Sequence, residues 1–143
     1  MKKIIQFSLI LLCSSFTIFG QSRETEVADT YFENLLYSKA AKEYEVLLKK
    51  NENAHILMRL GDCYYNIVQM KEASEVYAKL FKSFVPQDTE YIFKYAQTLR
   101  AIGKYDESKI WLKKFNDLNK NDSRGKNFTN LETDLAELTS GKS

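Results

Sequence analysis

The chain has 143 residues, of which 44% are hydrophobic and 28% are charged, enough for one compact domain and too few for two. Lys and Arg together number 21 against 19 acidic residues, and both surplus lysines, Lys2 and Lys3, lie within the first twenty residues. The remainder therefore carries no net charge, and its composition does not indicate a nucleic-acid partner.

The first twenty residues have the pattern of a secretory signal peptide. Residues 1–3 are Met-Lys-Lys, residues 4–19 are mostly apolar, and Gly20 supplies a small residue for cleavage. The apolar segment contains polar interruptions and is shorter than the roughly 20 residues that span a membrane. We therefore expect an exported chain without an integral membrane span. The alternatives are a retained anchor, or a lipoprotein acylated at Cys13, although the two leucines before Cys13 are atypical of lipoprotein signals.

Three later segments share one spacing of small and large apolar residues. In the middle segment, Gly61 and Ala73 lie twelve residues apart, and large apolar residues surround them at helical intervals. The same pattern recurs 33 residues earlier, from Ala28, and 35 residues later, from Ala96. Each segment therefore predicts two short helices joined by a turn, with a small residue where the two helices cross.

These segments predict an all-α repeat array over residues 21–118. Its three repeats cover about 21–53, 54–88 and 89–118. Pro86, the one proline, is expected to end the second helix of the middle repeat, because proline lacks a backbone N–H and clashes with the preceding turn.

The turn between the two helices of each repeat places one residue past a helix end. In the third repeat this residue is Gly103, which adopts the left-handed conformation without strain. Leu35 and Val68 hold the equivalent positions in the first two repeats. Either those turns bend differently, or each side chain costs about 1 kcal/mol for a positive φ.

After the third repeat the composition becomes polar over residues 119–126, which we expect to form a loop. Residues 127–139 then predict one more helix, with an apolar face at Phe128, Leu131, Leu135 and Leu138. A repeat array exposes an apolar end, and this helix is expected to cap it. Glu132 stands where a fourth repeat would need a small residue, which favours a cap over another repeat.

No combination of residues predicts catalysis, a cofactor or a metal. His55, the one histidine, has no cysteine or carboxylate at metal-ligand spacing, and Cys63 is expected to be a small buried side chain. The five glycines are scattered singly and form no phosphate-binding loop. We therefore expect a non-enzymatic protein without a cofactor or a metal.

A period near 34 residues with small residues at fixed positions resembles the tetratricopeptide repeat (TPR). The resemblance implies an α-α superhelix whose concave side is lined by the first helix of each repeat, the face on which this family usually holds a peptide or partner helix. Transferring the family's groove positions gives nine candidate partner-binding residues. They are Asp29, Phe32, Met58, Asp62, Tyr65, Asn66, Phe93, Gln97 and Arg100. The alternative is that the aromatic members only pack between repeats.

The signal peptide, the repeats and the loop from Asn119 also resemble the amino-terminal TPR region of OmpA-type envelope proteins. This resemblance implies a scaffold in the periplasm or at the outer membrane. Its expected partner is another protein or a peptide segment, and outer-membrane or peptidoglycan-linked proteins are among the candidates. The alternatives are a secreted protein, or a structural assembly module that forms the front part of a larger OmpA-like protein. Peptidoglycan binding itself is not implied, because the residues that perform it in the family are not in this sequence.

Overall fold

The computed structural model describes residues 24–124, and six α-helices lie between residues 24 and 118. We label them α1 (24–33), α2 (Tyr37–Lys50), α3 (Ala54–Asn66), α4 (Met70–Ser83), α5 (Glu90–Ala101) and α6 (Tyr105–Leu118). Along the chain, α2 packs on α3, α3 on α4, α4 on α5 and α5 on α6, while α3 also touches α5. The predicted all-α fold of three helix pairs is confirmed. The leader (1–20) and the predicted capping helix (127–139) lie outside the described residues.

The small residues of the repeat pattern lie inside the helix packing. All six are buried: Ala28, Ala40, Gly61, Ala73, Ala96 and Ser108. In the third repeat the Ser108 hydroxyl donates a hydrogen bond to the backbone carbonyl of Ala96, at 2.8 Å, and so ties α6 to α5. The predicted burial of these small residues is therefore confirmed, and in the third repeat they lie where α5 and α6 meet.

The three turns between paired helices have one geometry. Leu35, Val68 and Gly103 have φ values of 60°, 63° and 83°. In each turn the next residue's N–H bonds to the carbonyl five residues before it: Leu36 to Tyr31, Gln69 to Tyr64 and Lys104 to Leu99. The first two turns thus keep the bend of the glycine turn, at about 1 kcal/mol each for a side chain in this region. Val68 is 73% exposed, so its burial offsets little of that strain.

The middle repeat has defined helix ends. The Asn53 side chain caps the start of α3 by accepting a hydrogen bond from the Ile56 N–H, at 3.0 Å. At its other boundary α4 ends at Ser83, and Phe84 is already extended. Pro86 follows closely, and it disfavours helical backbone at the residue before it.

The core runs through all three helix pairs. Tyr44, Leu57, Tyr77 and Leu99 are among its fully buried side chains. Cys63 is buried among them, and burial raises the pKa of its thiol to about 12, so the thiolate is disfavoured. The expectation that Cys63 is a core side chain is confirmed. Among residues 24–124 no helix is long and apolar enough to span a membrane.

Candidate binding surface on the first helices

The first helices of the three repeats, α1, α3 and α5, form one continuous surface, which we call the first-helix surface. Between α1 and α3, the Asp29 carboxylate meets the His55 ring at 2.8 Å. Between α3 and α5, the Asp62 carboxylate meets the Lys94 ammonium at 2.7 Å. These polar contacts between side chains hold the three helices side by side, in the order α1, α3, α5.

Asp29 links three helices. Its Oδ1 accepts a hydrogen bond from the Tyr44 hydroxyl on α2. The same oxygen lies 2.8 Å from Nε2 of His55 on α3. Partial burial alone would raise the pKa of the Asp29 carboxyl, but hydrogen bonds from Thr25, Tyr44 and His55 outweigh that effect and hold the pKa below its ordinary value. Asp29 is therefore ionised at neutral pH, and its carboxylate already has partners in Tyr44 and His55.

Asp62 lies beneath the surface, although the family pattern places it among the groove residues. It is 5% exposed, and three donors use its carboxylate. Oδ1 accepts from the Tyr77 hydroxyl at 2.8 Å and from Lys94 at 2.7 Å, and Oδ2 accepts from the Tyr91 hydroxyl at 3.2 Å. Burial, and then the nearby Asp62 charge, raise the pKa of Tyr77, so its hydroxyl remains a donor. Asp62 thus serves the packing of α3, α4 and α5.

The same aspartate–tyrosine hydrogen bond joins the two helices of the first and second repeats. Asp29 pairs with Tyr44, and 33 residues later Asp62 pairs with Tyr77. In the third repeat the corresponding residues are Gln97 and Leu112, and Gln97 instead accepts a hydrogen bond from the Tyr65 hydroxyl. The recurrence of an aspartate and a tyrosine fifteen residues apart was a sequence signal for this contact.

Most of the other candidates reach the surface. Phe32, Met58, Tyr65, Gln97 and Arg100 are half-buried, and Asn66 is exposed. The Asn66 side chain donates to the backbone carbonyl of Asp62, at 2.7 Å. These residues therefore lie along α1, α3 and α5 in positions from which a partner could be contacted.

Phe93 lies elsewhere. It is 7% exposed, and its ring packs 5.0 Å from the ring of Phe115 on α6. The Arg124 guanidinium covers it at 4.8 Å. The Phe93 ring therefore lies in the core between the two helices of the third repeat, α5 and α6, and not on the first-helix surface.

Two cations on this surface were not among the residues predicted from the sequence. Arg59 on α3 lies 4.4 Å from the ring centre of Phe32, and Lys94 on α5 lies 5.9 Å from that of Tyr65. Both cation and aromatic positions repeat, since Phe32 and Tyr65 are 33 residues apart and Arg59 and Lys94 are 35 apart. These two spacings match the repeat periods and could have identified the pairs. Within residues 24–124 no cluster of His, Cys, Asp or Glu is placed to hold a metal.

No protein-family model and no curated protein sequence matches this chain. Among solved structures, the Yersinia enterocolitica type III secretion chaperone SycD in complex with a peptide of the translocator YopD is similar, with a TM-score of 0.61 and 18% identity, covering 83% of this chain and 91% of that one. A second structure of the same translocator chaperone has a TM-score of 0.57 and 18% identity, covering 82% and 87%. The chain has a TPR-like helical-repeat fold. At 18% identity, the similarity to these two structures concerns the fold alone.

Proposed function

We propose that this protein is a non-enzymatic scaffold that binds a segment of another protein on the first-helix surface. The observation that carries the proposal is the repeated aromatic–cation pair. Phe32 and Tyr65 stand at equivalent positions, both half-buried, and Arg59 and Lys94 lie beside their rings. Aromatic and arginine side chains in partly desolvated positions are the groups that most often dominate binding energy in protein interfaces.

Support also comes from the similar solved structure, which holds a peptide of a translocator protein. That peptide is the ligand of SycD, and for this chain we propose only the ligand class, a peptide segment. Surfaces formed by several parallel helices suit an extended or helical peptide, because anchors along the peptide meet successive helices. Met58, half-buried on α3, adds an adaptable apolar contact. We therefore propose a partner segment that presents an apolar residue and an acidic one.

Photo-crosslinking tests whether this surface is the binding surface. A benzophenone amino acid in place of Tyr65 is expected to capture a partner protein in intact cells. The same amino acid in place of Val46, which is 49% exposed on α2, is the matched control and is expected to capture none. Equal capture from both positions would place the partner on another surface.

The captured segment then allows a binding measurement. Tyr65→Ala is expected to weaken the affinity for the corresponding synthetic peptide by about 2 kcal/mol, because it removes a ring that the partner would bury. Tyr65→Phe keeps the ring and loses only the hydrogen bond to Gln97, so its affinity should stay near that of the parent. Thermal melts monitored by helix content show whether either variant has lost its fold. An unchanged affinity in a folded Tyr65→Ala variant would contradict the proposal.

We further propose that the protein is exported and acts in the periplasm or at the outer membrane, with secretion as the alternative. Support comes from the charged start, apolar segment and small residue of the leader, residues 1–20. The sequence resemblance to OmpA-type proteins adds a second possible role, as the assembly module of a larger envelope protein. Intact-mass analysis of the exported protein is expected to give a chain beginning at Gln21. A mass that retains the leader, or a lipid adduct on Cys13, would contradict this cleavage.

A further inference from the structure

We infer that Arg59 is the anion-binding group of the first-helix surface and that it takes a carboxylate of the bound segment. The inference rests on the proposed function, which it makes more specific: it assigns the acidic residue of the partner to one side chain. Arg100, which the family pattern offered as a groove cation, lies further along the surface on α5.

The Phe32 ring positions the Arg59 guanidinium. The guanidinium carbon lies 4.4 Å from the Phe32 ring centre, within the range of a cation–π contact. Phe32 is in turn held by Tyr37, whose ring meets it nearly edge-on, with centroids 5.3 Å apart and planes at 76°. A guanidinium that uses one face for stacking keeps the N–H donors along its edges for a planar anion.

We call the contact between α1 and α3 the first junction and the contact between α3 and α5 the second junction. The second junction shows what is different about Arg59. Between α3 and α5 the equivalent cation is Lys94, which lies near the Tyr65 ring and is neutralised by Asp62 at 2.7 Å. Between α1 and α3 the aspartate equivalent to Asp62 is Asp29. By this equivalence Asp29 would be the ion-pair partner of Arg59.

Asp29 is engaged elsewhere, however. His55, at 2.8 Å, and the Tyr44 hydroxyl both bond to its Oδ1. Within residues 24–124, no hydrogen bond or ion pair engages the Arg59 guanidinium, whose contact is with the Phe32 ring. The first junction therefore has an aromatic ring and a cation equivalent to those of the second junction. Its carboxylate, however, is bound to a histidine and not to the cation.

A carboxylate from a partner would complete the arrangement. Arg59 is half-buried, so an ion pair formed there is screened by water less than one on an open helix face. A carboxylate matches the guanidinium edge with two parallel hydrogen bonds, which adds orientation to charge. The half-buried Phe32 ring, which lies against the guanidinium, favours a peptide carboxylate over a small free anion, because an apolar part of a peptide would cover it.

Selection from random peptides tests the assignment without knowledge of the natural partner. The probe is a library of random dodecapeptides displayed between fixed uncharged flanks, so that side chains supply the carboxylates. The parent protein is expected to enrich peptides with Asp or Glu at a fixed distance from an apolar residue, and Arg59→Met is expected to lose that acidic preference. Lys113→Met, which removes an exposed cation of α6, is the control and should select as the parent does.

Titration of the best selected peptide gives the magnitude. Replacing its acidic residue by the corresponding amide should weaken binding to the parent about tenfold, the effect of one charge-assisted hydrogen-bonded contact. The same replacement should leave binding to Arg59→Met unchanged. Arg59→Lys keeps the charge but not the planar fork, and we expect it to retain only part of the tenfold difference. A second library with free C-termini distinguishes a terminal carboxylate from a side-chain carboxylate, by enrichment at the last position.

The outcomes separate this inference from the proposed function. If folded Arg59→Met still enriches acidic peptides, or the parent selects peptides without acids, peptide binding stands and the role of Arg59 is wrong. If the folded parent enriches no peptide from either library, the proposed function fails and the assignment of Arg59 fails with it. Helix content and the melting temperature of each variant, measured first, confirm that only folded proteins are compared.

Discussion

Gly61→Ala is expected to lower the free energy of unfolding by about 2 kcal/mol. A Cβ at Gly61 would lie 2.4 Å from Cε1 and 2.7 Å from Cδ1 of Tyr77, well inside van der Waals contact. The Tyr77 ring cannot move aside easily, because it is fully buried and its hydroxyl is bonded to Asp62. Alanine is the better helix former by about 1 kcal/mol, but overpacking of a rigid ring costs about 3 kcal/mol.

Urea unfolding of the two proteins measures this difference. The control is the same substitution at Gly103, where an added Cβ would have nothing within 4 Å and only the positive φ opposes alanine. Gly103→Ala is therefore expected to lose about 1 kcal/mol, less than Gly61→Ala. If Gly61→Ala were as stable as the parent, α3 and α4 could not cross with the ring of Tyr77 against the backbone of Gly61.

This crossing was predictable because a small residue in a periodic apolar pattern has a local cause. Gly61 and Ala73 mark the points at which two backbones approach, and the spacing between them is fixed by the helix and its turn. Which residue fills the space above Gly61 was not predictable, since many large side chains share that face. The contact with Tyr77 required the crossing geometry of α3 and α4.

The turns show a different limit. Residue preference favours glycine at a positive φ, so Leu35 and Val68 left two geometries open. The turn that formed is the one that lets each second helix pack back on the first, with the same closing hydrogen bond as in the glycine turn. Packing of the array thus outweighs about 1 kcal/mol of local strain at each position.

The candidate site was predictable in its helices and less so in its residues. Repeat position predicts that Phe32 and Tyr65 share a face, because they are equivalent residues of successive repeats, and both are half-buried in the structure. It does not reveal that Asp62 is buried or that Asp29 binds His55, since each depends on side chains that neighbouring helices bring across from 15 or more residues away. Phe93 is ambiguous for the same reason: a first helix packs on helices at several sides, so an aromatic residue fits a core or a surface.

Asp62→Ala is expected to lower the free energy of unfolding by about 3 kcal/mol, the larger of the two effects. The carboxylate accepts from Lys94 and from the hydroxyls of Tyr77 and Tyr91. Its removal leaves the Lys94 ammonium, 21% exposed, without its partner, and leaves the Tyr77 hydroxyl buried without an acceptor. An orphaned charge and an orphaned buried hydroxyl both favour unfolding, where water solvates them.

Asp29→Ala is the matched control, because Asp29 holds the same position one repeat earlier. Its side chain is 27% exposed, against 7% for Asp62, and its ring partner His55 is 44% exposed. Water can therefore solvate the His55 ring, although the fully buried Tyr44 hydroxyl loses its acceptor as Tyr77 does in Asp62→Ala. Because Asp29→Ala leaves no buried lysine without its partner, we expect a smaller loss, about 1 to 2 kcal/mol. Denaturant unfolding followed by helix content measures both variants under one set of conditions.

The double variant Asp62→Leu with Lys94→Met decides whether the loss comes from orphaned charge or from lost attraction. An apolar pair of similar size leaves no unpaired charge, and such replacements of buried ion pairs are often close to neutral. We therefore expect the double variant to be more stable than either Asp62→Ala or Lys94→Met alone, by about 2 kcal/mol, although Tyr77 still lacks its acceptor. A double variant no better than the singles would mean that the attraction itself, and not the burial of a lone charge, makes Asp62 important for holding α4 and α5 against α3.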